Sequence, residues 1–232
     1  MRVNLRRCVW VLAIAGSTAA FAAEREAKVD DRLDASADAL TAMMRAADKG
    51  IPQSLIDKAR CVVVVPGMKK AGFIFGGKYG RGFAACRQHG GVGWSAPASM
   101  RVEGGSVGFQ IGASDTDVVL LVMNEGGMRH LLSDKFTIGG EATAAAGPVG
   151  RDVAAQTDAE MNAEMLSYSR SQGLFAGISL DGATLRPDGD SNRELYGRDV
   201  TNREILTGDF KTPAVADRFE HALNRDSAER NR

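Results

Sequence analysis

Three cysteines, three histidines and two tryptophans in 232 residues leave little material for a disulfide-rich scaffold or a metal centre. His89, His130 and His221 are isolated, with no HExxH pattern and no paired Cys/His spacing, so no metal site is supported. Net charge is missing too: 29 Lys+Arg balance 29 Asp+Glu, which argues against bulk nucleic-acid binding. The chain holds no collagen period and no low-complexity tract. Its N-terminal apolar run is too short to span a bilayer as a stable helix. What it has is glycine, 27 residues concentrated in the middle of the chain.

The first 23 residues read as a secretory signal peptide. Arg2, Arg6 and Arg7 form a basic start, Val9 to Ala15 a short apolar core, and Ala20-Phe21-Ala22 a small-x-small cleavage pattern. Export with cleavage near Ala22 or Ala23 is expected, with residues 24–232 forming a single domain in the periplasm or at the envelope membrane. Removing those three arginines leaves acidic residues in a slight excess. Removing Cys8 leaves Cys61 and Cys86, an even number for an oxidising compartment. They flank the first and third strand candidates, so a disulfide and a pair of buried thiols both stand as readings.

The organising stretch runs from Val62 to Arg87. Four valines bounded by Pro66-Gly67 predict a strand buried on both faces. Phe73-Ile74-Phe75 predicts a second strand ended by Gly76-Gly77, and a third runs through Phe83 to Arg87. Glycine pairs recur at Gly90-Gly91 and Gly104-Gly105, the spacing of strands joined by tight turns. The fold class is therefore α+β: a glycine-rich antiparallel meander or barrel-like sheet, flanked by N- and C-terminal helices.

Around it, Glu24 to Lys49 predicts an amphipathic helix with Val29, Leu33, Ala37, Leu40, Met44 and Ala47 on one face, stopped at Gly50. A short helix follows over Gln53 to Arg60. Strands are predicted over Val92–Ala98, Ala98–Val102, Ser106–Ala113 and Val118–Met123, with Ser114 to Asp117 as a linker. Asn124 caps a helix through Leu132. Residues 139–150 read as a close-packed loop or as a helix across the alanines, and Glu164–Tyr168 with Leu174–Leu180 as a hairpin around Ser171-Gln172-Gly173. Leu185 to Gly208 reads as loop and short helices. A last helix, Pro213 to Arg225, points Val215, Phe219 and Leu223 inward.

Motifs for catalysis fail on context. Gly72 to Lys78 has the spacing GxxxxGK, but Tyr79 follows and no helix presents its N-terminus to a phosphate. Gly104 to Gly108 matches GxSxG around Ser106, yet Phe109-Gln110-Ile111 continues as strand rather than helix. Asp117 and His130 complete a Ser-Asp-His order at intervals too short for a hydrolase sheet. Asp188 to Asn192 opens like a calcium loop but lacks the glycine and glutamate that such a loop needs. No cofactor and no catalytic residue is expected. What remains is a cluster of Lys69, Lys70, Lys78 and Arg81 interleaved with Phe73, Phe75 and Tyr79. It suits an anionic headgroup with apolar insertion, or equally a core flanked by a solvated, aggregation-guarding edge.

The series Val63-Val64-Val65-Pro66, Lys70-Ala71-Gly72-Phe73 and Gly76 to Gly82 resembles the SYLF domain family. So do Trp94 to Pro97, Gly105 to Gly112, Gly147 to Gly150, Ser167 to Ser169, Gly173 to Ile178, Asn192, Tyr196-Gly197 and Ile205-Leu206. The resemblance covers roughly 39–208. It implies one β-rich domain with flanking helices, no catalysis, and binding to membrane lipid, often phosphoinositide in eukaryotes, where members also bind actin. For an exported bacterial chain the implied partner is anionic phospholipid, with an envelope protein-binding or stress-related scaffold as the alternative.

Overall fold

The computed structural model describes residues 29–46, 50–72, 75–88, 93–107, 112–149, 162–177 and 179–226. The expected signal peptide, Ala47, Phe73, His89 and Gly90-Gly91 lie outside the described residues. The first helix, α1 (Val29–Arg45), buries Val29, Leu33, Ala37, Leu40 and Met43, the three-and-four spacing of one helical face. Met44, expected on that face, is only partly buried. Gly50 ends the turn by close approach, since a Cβ there would stand 2.3 Å from the Met43 carbonyl oxygen. Its N–H donates to the Ala46 carbonyl at 2.8 Å. A short helix, α2 (Gln53–Lys58), follows Pro52.

The centre is one nine-stranded sheet. In chain order its strands are β1 (Cys61–Gly72), β2 (Phe75–Cys86), β3 (Ala98–Val107), β4 (Gly112–Val122) and β5 (Phe136–Thr137). Then come β6 (Ala144–Ala146), β7 (Met165–Ser171), β8 (Leu174–Gly177) and β9 (Ala183–Pro187). The spatial order is β5-β9-β3-β2-β1-β4-β7-β6, with β8 also paired to β7. Every pairing is antiparallel except β6 with β7. Among the described residues the remaining α-helices are α3 (Glu125–Leu131), α4 (Gly189–Tyr196), α5 (Asn202–Thr207) and α6 (Asp217–Asp226). The sheet curls into a half-barrel flanked by helices from both ends of the chain.

The valine run is buried on both faces because β1 is central and helices cover both sides. Val62 and Val64 join Phe83, Val119 and Leu121 against α1, α2 and α6. Val63 and Val65 join Met100, Leu120 and Val122 against Leu131 of α3 and Ile205 of α5. Each fully buried valine contributes on the order of 1.5–3 kcal/mol.

Several expected turns are strand instead. Pro66-Gly67 does not close β1 but forms a bulge in it: the register with β4 shifts by one residue between Val65 and Met68. Gly67 takes φ +53°, and its N–H donates to Asp117 at 2.9 Å. Opposite the bulge, Gly82 leaves room that a side chain would close, its Cβ falling 1.9 Å from the Val64 carbonyl oxygen. Gly76-Gly77 lies inside β2 and Gly104-Gly105 inside β3, so the three strands expected over Val62 to Arg87 are two. Ser114 to Asp117, expected as a linker, lies inside β4. Val92 to Ala98, expected as a strand, is irregular over its described part until β3 begins at Ala98. β9 takes the place of the loop expected from Leu185, and β6 lies within residues 139–150, where pairing with β7 makes a strand of the alanines. Val215 is 51% exposed while Ala216 is buried, because the segment after Pro213 opens as a 3-10 turn before α6. The Asn124 cap is present, with its Oδ1 accepting from the Gly127 N–H at 3.0 Å. The β7–β8 turn uses Gln172 and Gly173 at φ +49° and +79°.

Cys61 and Cys86 face each other across β1 and β2 and form a disulfide. The backbone N–H and C=O of Cys86 bond to Ser95, leaving the cysteines as a non-hydrogen-bonded pair, where side chains come closest. The bridge closes a loop with a sequence separation of 25. In chain-entropy terms, reduction should lower unfolding free energy by about 3.5 kcal/mol. Urea denaturation with and without reductant measures this, and coincident midpoints would refute it.

Candidate functional site

One end of the sheet gathers the β1–β2 hairpin, the start of β4 and the β7–β8 turn. Lys69 lies opposite Tyr79 and Asp115, and Lys70 opposite Lys78 and Ser114. Side chains alternate along a strand, so the expected cluster divides between the two faces. Lys69, Tyr79 and Arg81 share the face of Phe83 and α1; Lys70 and Lys78 take the other. Phe75 opens β2 opposite Val107, and Phe73 lies outside the described residues.

Lys70 and Lys78 form a like-charge pair directly across two strands, an unfavourable arrangement on its own. The Lys78 Nζ donates to the Asp181 carbonyl at 3.0 Å. Burial, and then the charge of Lys70, hold the Lys78 pKa below the usual lysine range, with Asp181 opposing them. Gly104 makes room for this side chain, since a Cβ there would stand 3.0 Å from the Lys78 Cε. Leu174, at the tip of β7–β8, is 73% exposed. Its position at the same end follows from two contacts: Arg170 bonds Asp117 at 2.9 Å, and the Ser171 hydroxyl donates to the Asp115 carbonyl at 3.1 Å.

Arg81 belongs to a different group. It stands opposite Arg101, which stands opposite Arg186, a row of guanidinium groups across β2, β3 and β9. Asp188 lies beside them, 1% exposed. Its carboxylate meets Arg101 at 2.8 Å and Arg81 at 3.3 Å. Ser191 donates to it at 3.0 Å and accepts from Arg32 of α1 at 2.7 Å. Glu103 accepts from Arg186 at 2.7 Å and lies 3.8 Å from Arg101. Burial pushes the Asp188 pKa up, but the bonds from Arg101 and Ser191 and the charges of Arg81 and Arg101 outweigh it and hold the group below the usual carboxylate range. A buried amide network sets its place: Asn192 accepts from the Ser99 N–H at 2.8 Å and donates to Asn202 at 2.6 Å, and Asn202 donates to the Ser99 carbonyl at 2.9 Å. The residues that resembled a calcium loop are thus an ion-paired aspartate and the first turn of α4.

Sequence reasoning found Arg81 but missed Arg32, Arg101, Arg186, Asp188 and Leu174 as members of these groups. Arg101 and Arg186 do show as polar positions in strand alternation, between Met100 and Val102 and after Leu185. Their register was the hidden part.

The serine–aspartate–histidine order is not assembled. Ser106 lies on β3 near the start of β4, whereas His130 is on α3 beyond its end. β4 spans 11 residues, and a strand of that length covers roughly 35 Å. Asp117 is engaged by Gly67 and Arg170. Among the described residues no group of His, Cys, Asp and Glu gathers to hold a metal ion. At the disulfide end a groove of about 770 Å³ is lined by Lys58, Arg60, Arg87, Met123, Met128 and Asp209, among others.

A family model described as "Las17-binding protein actin regulator", Ysc84, matches residues 103–226. The chain belongs to the Ysc84 family. It is 38% identical over 77% of its length to an SH3 domain-containing protein of Schizosaccharomyces pombe, covering 42% of that protein. It is 34% identical over 74% of its length to Protein YSC84 of Saccharomyces cerevisiae, covering 37% of it. With the SH3 domain-containing YSC84-like protein 1 of Rattus norvegicus the figures are 35%, 76% and 52%. The chain thus spans about half or less of the curated relatives named here. The family model's description is that of a binding and regulatory protein, not of an enzyme.

Asp188 contributes stability that is fully present above its unfolded-state pKa, about 3.9, and is lost as pH falls through its lower folded value. Asp188→Asn, which leaves two guanidinium groups without their shared carboxylate, should cost about 3–5 kcal/mol. Chemical denaturation across pH 2 to 7 should show that loss at neutral pH and a shallower acid limb in the variant. A variant as stable as the parent would remove this role.

Proposed function

We propose that this protein is a non-enzymatic binding module that docks the lysine-bearing end of its sheet onto anionic phospholipid at the bacterial envelope, after export. The observation that carries the reading is Leu174, 73% exposed at the end that also holds Lys69, Lys70 and Lys78. An exposed apolar side chain at the sheet end that also carries cations is the composition of a surface that meets headgroups and enters the acyl boundary. End-on docking also resolves the division of the lysines, because a membrane meeting the sheet edge contacts both faces. Each lysine near an anionic surface contributes about 1 kcal/mol, so several act together and salt weakens them. Headgroup phosphate would offset the repulsion within the Lys70–Lys78 pair.

A protein-binding scaffold is the second reading. It draws on the family model's description, which names a protein partner, and on the open groove at the disulfide end.

Residues 23–232 should co-sediment with vesicles in proportion to their anionic content and release with salt. Lys69→Glu, Lys70→Glu and Lys78→Glu combined should abolish this binding. Leu174→Ser should weaken it about tenfold. Binding that ignores all four substitutions would refute the sheet-end assignment. No binding at any composition, with one envelope protein enriched by the immobilised chain, would leave the scaffold reading.

A further inference from the structure

The lipid reading uses the lysines at the sheet end and leaves the arginine row without a role. Arg81, Arg101 and Arg186 are direct cross-strand neighbours, so their charges repel unless something is shared between them. What is shared is two carboxylates: Asp188 bridges Arg81 and Arg101, and Glu103 bridges Arg101 and Arg186. Each of these two acids is thus shared by two guanidinium groups.

The outward side of this row is accessible. The side chain of Arg186 is 43% exposed, and among the described residues its one hydrogen bond, from Nη2 to Glu103, leaves the Nη1 donors available. Arg81 and Arg101 keep 17% and 19% of their side chains exposed. Tyr79, 40% exposed, accepts from the Arg81 Nε at 2.6 Å, so its own hydroxyl proton is available for donation. Beneath, Asp188 and the Ser191–Arg32 contact hold the row in place. Positioned guanidinium forks flanked by a hydroxyl donor match the several acceptor oxygens of one compact anion.

We infer that the Arg81–Arg101–Arg186 row, with Tyr79 at its rim, is a binding site for a phosphate monoester, carried either by a soluble molecule or by a lipid headgroup. This site is separate from the Lys70–Lys78 pair, which lies on the opposite face of the sheet. It goes beyond the docking surface proposed above and does not depend on it.

Calorimetric titration of the full chain with inorganic phosphate, at constant ionic strength against chloride, tests it. Saturable binding is expected. Arg186→Gln, at the exposed end of the row, should weaken it about tenfold. Tyr79→Phe should weaken it less, while Lys211→Gln, at an exposed position beyond α5, should leave it unchanged. Circular dichroism establishes that each variant is folded. Vesicles containing phosphatidic acid or phosphatidylglycerol at equal charge separate the two sources. A preference for the monoester lipid that Arg186→Gln removes assigns a headgroup. Phosphate binding without that preference assigns a soluble ester. The inference is overturned if phosphate binds no better than chloride, or if Arg186→Gln and Tyr79→Phe both bind as the parent does. Vesicle binding by the lysine variants is read separately, so failure of the docking model and failure of this site are distinguishable.

Discussion

The extra residue that β1 accommodates at Pro66-Gly67 decides which face of the sheet each side chain beyond it takes. Before the bulge, Val62 and Val64 point to α1; beyond it, Met68 points away and Lys69 points to that face. Asp117 holds the bulge through the Gly67 N–H and is itself held by Arg170, so β1, β4 and β7 are tied at one point. Gly82 on the neighbouring strand is the steric counterpart, since no side chain fits where the bulged backbone passes. The faces that Lys69 and Lys70 take at the sheet end follow from this one-residue offset.

Beyond the bulge the sheet changes character. Its disulfide end is apolar on both faces and covered by helices. Its other end carries cations on both faces, with glycines where long side chains must lie flat, as Lys78 does over Gly104. The stable half supports the charged half: α4 and α5 are fixed to β3 by the Asn192–Asn202–Ser99 network, and that network sets Asp188 against the arginines. A concentration of positive charge is tolerable here because its backbone continues directly from the most buried strands of the protein.

Much of the architecture was legible in local pattern. The valine run, the α1 stripe, the Asn124 cap and the Gln172-Gly173 turn each express a preference that acts within a few residues. Glycine pairs were misleading because one residue type serves two needs. A turn uses its positive φ, as Gly173 does, while a strand uses its missing Cβ, as Gly82 does. Pro66-Gly67 misled for a related reason: a turn and a bulge place the same two residues at the same interruption of a strand.

The sequence by itself determined the class of fold, the central strand, the cysteine pair available for bridging and the presence of a basic hairpin, because short-range periodicity and residue type carry that information. Tertiary structure alone decided that the basic cluster divides between two faces, that Arg81 joins Arg101 and Arg186, and that Leu174 lies at the same end of the sheet as the lysines. These depend on strand register and order, which pair residues across long separations. A one-residue shift in register reverses which face each side chain takes, and no local preference records it.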